Sequence, residues 1–242
     1  MRKNKAFTLA EVLITLSIIG VVVALTVPNI QNNYQRKALT VQLRKVISEI
    51  ETAFDLQITE EGKTSLSGTR IAIDGVDDKF MNSRFKYIKK CKSDDTANCF
   101  ASEEYYSIDG SDKKVFKCNG DSYILANSSA VCMNIVEEIP IATEENEDEK
   151  YIALKGLNIE IFIDINGNQP PNIGGRDMFR VFMLPDGRIY DQANVVEICT
   201  KSVDGNVACE PPKAEDTPKC GEHPFGEGCF AALMNSNWKM DY

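Results

Sequence analysis

The order of apolar and polar positions divides the chain into a continuous apolar segment, a periodic one and an irregular remainder. Positions 7–27 form an unbroken run of 21 residues whose only charge is Glu11. As a helix this run spans ~31 Å, the thickness of a bilayer's hydrocarbon core. Beyond Pro28 the apolar positions thin out and recur every three or four residues, at Leu39, Leu43, Val46, Ile47, Ile50 and Phe54. Arg36, Arg44, Lys45, Glu49 and Glu51 fall largely between them, as on a helix with one buried face. The spacing predicts one helix over 7–58, ~78 Å long, in which Pro28 introduces a kink without ending the helix. Glu60, Glu61 and Gly62 mark its stop. Its first half would span a membrane, and its second half would lay the stripe on a globular head at 59–242. A coiled coil competes for the stripe, which covers only two to three heptads.

The head is less regular. Residues 77–90 read as a short amphipathic helix with Phe80, Phe85 and Ile88 turned inward, between strand candidates at 70–73 and 123–126. The charge run at 144–150 reads as a solvated loop. Residues 158–165 alternate apolar and polar, as a half-buried strand does. Residues 176–184 and 188–190 flank Pro185-Asp186-Gly187, a turn signal that pairs them as a hairpin. The fold class expected is α+β, a long helix packed on a small antiparallel sheet, with an apolar closing segment at 230–238.

Charge orients the chain and narrows its partners. Arg2, Lys3 and Lys5 precede the apolar run, so the positive-inside rule keeps the N-terminus in the cytoplasm and exports the rest. Net charge is −9, and loss of residues 1–6 would leave 24 basic against 36 acidic side chains. Such a surface repels a phosphate backbone, so nucleic acid is not an expected partner. The run is not an ordinary secretory signal, because no small-residue site closes it; the small residue, Ala6, stands before it. A cut there would remove the charged leader and keep the membrane segment. Glu11 is then the anomaly, since an acid inside a bilayer costs roughly 2.5–3.5 kcal/mol. Cleavage before Phe7 creates a new positive amine four residues from Glu11, and a neighbouring copy's amine could neutralise it.

The segment KAFTLAEVLITLSIIGVVVALTVP resembles the N-terminal signal of type IV prepilins and type II secretion pseudopilins. The resemblance covers about residues 2–55. It implies cleavage between Ala6 and Phe7 by a prepilin peptidase, methylation of the Phe7 amine, subunit alignment through Glu11, and a helix kink at Pro28. Ala6 stands where the family usually has glycine, and as the next smallest residue it should still allow processing. The implied protein is a structural subunit of a type II secretion pseudopilus or a type IV pilus-like filament, with a pilin-like head and no enzymatic activity. Its partners would be the peptidase, other pilin or pseudopilin subunits and an inner-membrane assembly platform. It would sit as a single-pass protein in the inner membrane before entering a periplasmic or cell-surface filament. The rival is a binding or catalytic ectodomain on an ordinary signal anchor.

Eight cysteines, Cys91, Cys99, Cys118, Cys132, Cys199, Cys209, Cys220 and Cys229, all lie beyond the apolar run. An even number beyond a membrane segment suggests disulfides in an oxidising compartment, and the spacing lacks the CxxC pattern of structural zinc. Of the 105 full pairings eight cysteines admit, the simplest joins sequence neighbours: 91 with 99, 118 with 132, 199 with 209, and 220 with 229. Asp164, Asn166 and Asn168 alternate around Gly167, with Asp177 nearby, which suggests a calcium loop. The plain alternative is a turn, because Asn-Gly forms turns for backbone reasons. Major pseudopilins bind calcium in a sheet-domain loop, and the resemblance extends that suggestion here. No GxSxG, HExxH or phosphate-binding glycine loop occurs, and the single histidine, His223, lies in a Cys/Pro/Gly-rich stretch.

Overall fold

A computed structural model describes residues 8–141, 149–191, 198–202, 204, 206–210 and 219–242. A single helix, α1 (Leu9–Glu60, 52 residues), dominates it. Thr8 is its N-cap: the Thr8 hydroxyl accepts from the Glu11 amide, and Glu11 Oε2 accepts from the Thr8 amide at 2.8 Å. This reciprocal pair satisfies two of the donors a helix start leaves open. At the other end Lys63 N–H bonds to the Ile58 carbonyl and Gly62 N–H to that of Thr59, with Gly62 at φ 61°. The left-handed glycine closes the helix in a Schellman motif, at the stop its own sequence marks. The element runs continuously through Pro28.

The chain after α1 makes two short helices, α2 (Ile71–Asp74) and α3 (Asp78–Arg84). Both correct the sequence reading. Residues 70–73, expected as a strand, form one helical turn stopped by Gly75 at φ 74°. The helix expected over 77–90 starts as foreseen, with the Asp77 carboxylate accepting from the Phe80 amide at 2.8 Å. It ends at Phe85, whose backbone is extended. Tyr87–Cys91 is instead strand β1, leaving Ile88 69% exposed. Pairing outweighs local helix pattern there, because β1 gains a ladder to β4 and a disulfide from Cys91.

The sheet is larger than the three strands the sequence suggested. Its path runs β1–β4 (Ser122–Leu125)–β5 (Ala130–Ile141)–β6 (Glu149–Asp164)–β7 (Met178–Met183)–β8 (Ile189–Tyr190), all antiparallel. The hairpin expected around Pro185-Asp186-Gly187 is the β7–β8 pair. The first residues of β6 pair with β9 (Ile198–Lys201), which pairs in turn with β10 (Val207–Glu210). The loop expected over 144–150 lies mostly outside the described residues, and its last two positions, Glu149 and Lys150, open β6. A separate ribbon joins β2 (Glu104–Tyr106) to β3 (Lys113–Val115).

Alternation along the strands gives the sheet two apolar faces. Ile159, Ile161 and Ile163 of β6, with Val181 of β7, pack in one core with Leu43, Val46, Ile50 and Phe54 of α1. Phe162, between them in sequence, belongs to a second core with Phe100, Tyr105, Phe116, Cys118 and Cys132. Both cores are needed because neither sheet face is polar enough to meet water. Beside Phe162 on that second face, Arg180 holds Glu160 at 2.5 Å and Glu227 at 3.3 Å, an almost buried ion triad. The C-terminal helix α4 (Cys229–Asn235) is tied in by buried Asp191, which accepts from the Gly228 and Ala231 amides.

Candidate functional site

The chemistry expected of this chain is concentrated at its N-terminus. Ala6 and Phe7, the expected cleavage pair, lie outside the described residues. Glu11 lies in the first turn of α1, where its described contacts are with Thr8 alone: the Thr8 hydroxyl donates to Glu11 Oε2 at 2.9 Å. The capping role is one the sequence reading missed, although Thr8-x-x-Glu11 is the pattern that signals it. Glu11 therefore has a local task even before any neighbouring chain is considered.

From Leu9 to Val27 the helix is apolar, long enough to cross a membrane and entirely unburied by the other described residues. Leu9 is 79% exposed and Leu25 69% exposed. An apolar surface of that extent marks a membrane or protein contact, because water alone does not support it. The sequence thus builds a helix whose N-terminal half can be satisfied only by lipid or by other chains.

The eight cysteines form four disulfides, Cys91–Cys99, Cys118–Cys132, Cys199–Cys209 and Cys220–Cys229. Each joins neighbours in the sequence. The first fastens β1 to the 3₁₀ turn after it, the second fastens a loop to β5, the third bridges facing residues of β9 and β10, and the fourth holds the loop before α4. Close packing supports the last of these: a Cβ on Gly175 would stand 2.3 Å from Cys229 Sγ, and Gly175 has φ 81°.

The four residues suggested for calcium are only partly brought together. Asp164 and Asp177 are both fully buried, but their oxygens face protein donors. Tyr105 donates its hydroxyl to Asp164 Oδ2 at 2.5 Å, and the Asn166 amide donates to Oδ1. The Asn172 and Ile173 amides donate to the two oxygens of Asp177 at 2.7 and 2.6 Å. Asn166 Nδ2 ties down the Gln169 and Pro170 carbonyls, leaving its Oδ1 without a protein partner, while Asn168 is exposed and accepts from Gln169. Among the described residues no group of three or more His, Cys, Asp and Glu could hold a metal ion. A calcium ion needs ligands that turn lone pairs toward the metal; here each of the four carboxylate oxygens already accepts from a protein donor and only Asn166 Oδ1 is left open, so the set does not form a calcium cage.

Burial, reinforced by the charge of Asp177, pushes the Asp164 carboxyl well above the usual range. Burial pushes Asp177 up to about 6 against the opposing pull of the Ile173 and Asn172 amides. Burial and then Asp164 raise the Tyr105 hydroxyl. This cluster is a buried hydrogen-bond knot at the end of β6, closing the loop to β7.

Residues 1–27 match the family described as the prokaryotic N-terminal methylation motif. Neither a curated protein nor a solved structure matches the chain. The match stops at the end of the exposed apolar half of α1, so it speaks for processing and anchoring and leaves the head to be read from its own structure. A methylation motif leading into an apolar helix that the described residues leave uncovered, followed by an α+β head with four disulfides, supports a type IV prepilin-like or pseudopilin-like protein.

Proposed function

We propose that the chain is a structural subunit of a pseudopilus of a type II secretion system or of a type IV pilus-like filament. A prepilin peptidase cuts it between Ala6 and Phe7, the new amine of Phe7 is methylated, and the mature subunit leaves the membrane for a filament. The observation that carries this reading is the match of residues 1–27 to the methylation motif, continuous with an apolar helix that the described residues leave uncovered.

The physical logic is a change of solvent. In the membrane, lipid covers the surface from Leu9 to Val27; in a filament the same surface of neighbouring helices covers it. Both environments are dry, so transfer costs little apolar burial, and register must come from something polar. Glu11 supplies it, because a carboxylate in a dry bundle is costly unless a cation pairs with it. The Phe7 amine of an adjacent subunit is that cation. The head, with Asp164 and Asp177 hydrogen-bonded internally and its cysteines in disulfides, faces outward.

Mass spectrometry of the mature N-terminus tests the reading. A chain beginning at N-methylated Phe7 is expected; a chain retaining Met1 in the membrane would leave an ordinary signal-anchored ectodomain in its place. Recovery in a sheared surface fraction would favour a pilus, and confinement to the cell envelope a pseudopilus.

A further inference from the structure

The chain is acidic, yet between Val12 and Ser48 it contains no Asp or Glu and carries Arg36, Lys37, Arg44 and Lys45. All four lie within 18 residues of the end of the apolar span, so they stand against the three basic residues before it in any orientation rule based on nearby charge. Cations placed where they weaken topology have another task. The structure gathers three of them. Arg36, Lys37 and Arg44 of α1 face Lys239 across a cleft of about 430 Å³ between the helix and the C-terminal tail, with Asp241 the single acid in its wall. Trp238 lines the same cleft, with the Arg44 guanidinium 5.1 Å from the centre of its ring. Arg36 donates to the Met240 carbonyl at 3.2 Å, so the tail is fastened there.

We propose that this cleft seats the phosphate of an anionic phospholipid headgroup at the exported face of the membrane. The inference rests on the anchored reading above. Arg36 lies nine residues past Val27, ~13 Å along the helix, while the polar layer beyond the hydrocarbon is only ~5–8 Å thick on each side. Side chains on a helix lean toward its N-terminus, here toward the bilayer, and long basic stems snorkel to a charged surface. Tyr34, 74% exposed and seven residues past Val27, supplies an aromatic side chain of the kind found where protein meets headgroups. Burial first, and then the nearby Arg36 charge, hold the Arg176 guanidinium of the adjoining groove below its usual range, and an anion at Arg36 would oppose the second effect. Docking there would brace the head against the membrane before extraction into a filament, when the phosphate must be given up.

Trp238 is the only tryptophan, so it reports on the cleft directly. Full-length protein is reconstituted into phosphatidylcholine vesicles with graded phosphatidylglycerol, and acrylamide quenching of Trp238 is followed. Protection is expected to rise with phosphatidylglycerol and to weaken in high salt. Lys37→Gln, on an exposed residue, should shift the phosphatidylglycerol midpoint by about fivefold. Lys79→Gln, the same charge change on α3 near the far end of α1, should leave it unmoved. Protein that floats with the vesicles but shows no dependence on phosphatidylglycerol overturns the lipid site alone, whereas failure to float overturns the anchored reading with it. Equal protection by inorganic phosphate, or protection that tracks protein density in place of lipid composition, also overturns the proposal, the latter assigning the cleft to a second copy of the chain.

Discussion

The two halves of α1 share one backbone and the same apolar residue types, and differ in what covers them. From Leu9 to Val27 nothing among the described residues covers the helix, whereas Leu43, Ile50 and Phe54 are completely buried. The acids divide the same way. The head surrounds Asp164 and Asp177 with a tyrosine hydroxyl and backbone amides, while Glu11 has a described contact only with Thr8. A region that satisfies its own apolar and charged groups is a finished object. A region that leaves its apolar surface open is half of an interface, and its energetics are complete only against lipid or other chains.

The comparison can be broken most sharply at its N-terminal end. Replacing Ala6 with Leu should stop processing, because the small residue beside Phe7 is what a peptidase site can admit; immunoblots would then show full-length precursor accumulating in the membrane. Normal maturation of Ala6→Leu would remove the assigned cleavage site.

Glu11 separates the local from the intermolecular role. Glu11→Gln keeps a residue able to complete the capping box with Thr8 but removes the charge that a neighbouring amine would pair. The expected outcome is normal membrane insertion with incorporation into filaments reduced at least about tenfold, from the loss of a buried ion-pair partner. Glu11→Val loses both roles and relieves the insertion cost. Wild-type incorporation of Glu11→Gln would sink the pairing argument and leave the cap as the whole of its function.

The halves should also respond differently to truncation of large side chains. Phe54→Ala opens a cavity between α1 and the sheet, where Phe54 meets Phe80 at 4.8 Å, and should cost the head ~3–5 kcal/mol in denaturant unfolding. Ile19→Ala, on the uncovered half, should leave head stability within ~0.5 kcal/mol. Equal losses at both sites would mean that the N-terminal half is covered by the head after all.

The smallest effects concern the buried acids. A carboxyl whose folded pKa is raised binds its proton more tightly in the native state, so protonation favours folding. The Asp177 contribution is therefore fully present below the ordinary aspartate range near 4 and is lost as pH rises through about 6. Between pH 4 and 6 it should tilt stability by ~2 kcal/mol in favour of the acid side. Asp177→Asn should flatten that slope whatever it does to absolute stability. Calcium and chelator should both leave the melting temperature unchanged, since the carboxylate oxygens already face protein protons. A calcium-dependent rise would restore a metal site at the loop.

Much of this was legible in the residues themselves. The apolar run, the stripe from Leu39 to Phe54 and the turn at Asp186-Gly187 are local patterns, and local patterns survive into the structure as α1 and the β7–β8 hairpin. Where reading failed, the competing force was non-local. Residues 87–91 carry a helical pattern but pair with β4, and Ile71–Asp74 has strand-like isoleucines but closes as a turn before Gly75. The extra strand β9 rests on the start of β6, far away in sequence, which no window of ten residues contains, and β10 then pairs with β9 as a local hairpin.

Short segments alone set the ends of the problem: three basic residues at the start, a small residue at Ala6, an apolar helix with one acid, and cysteines confined to the residues beyond that helix. These are properties of short segments meeting a solvent or a peptidase, and they need no fold. Tertiary structure alone decided which acids find protein donors and which do not. It also decided that the sheet has two apolar faces, and that Arg36, Lys37 and Arg44 meet Lys239 and Trp238 in one cleft. The physical reason is distance along the chain. Residues about two hundred positions apart share a surface only after the sheet has placed the C-terminal tail against α1, and a charge cluster built that way has no signature in either segment alone.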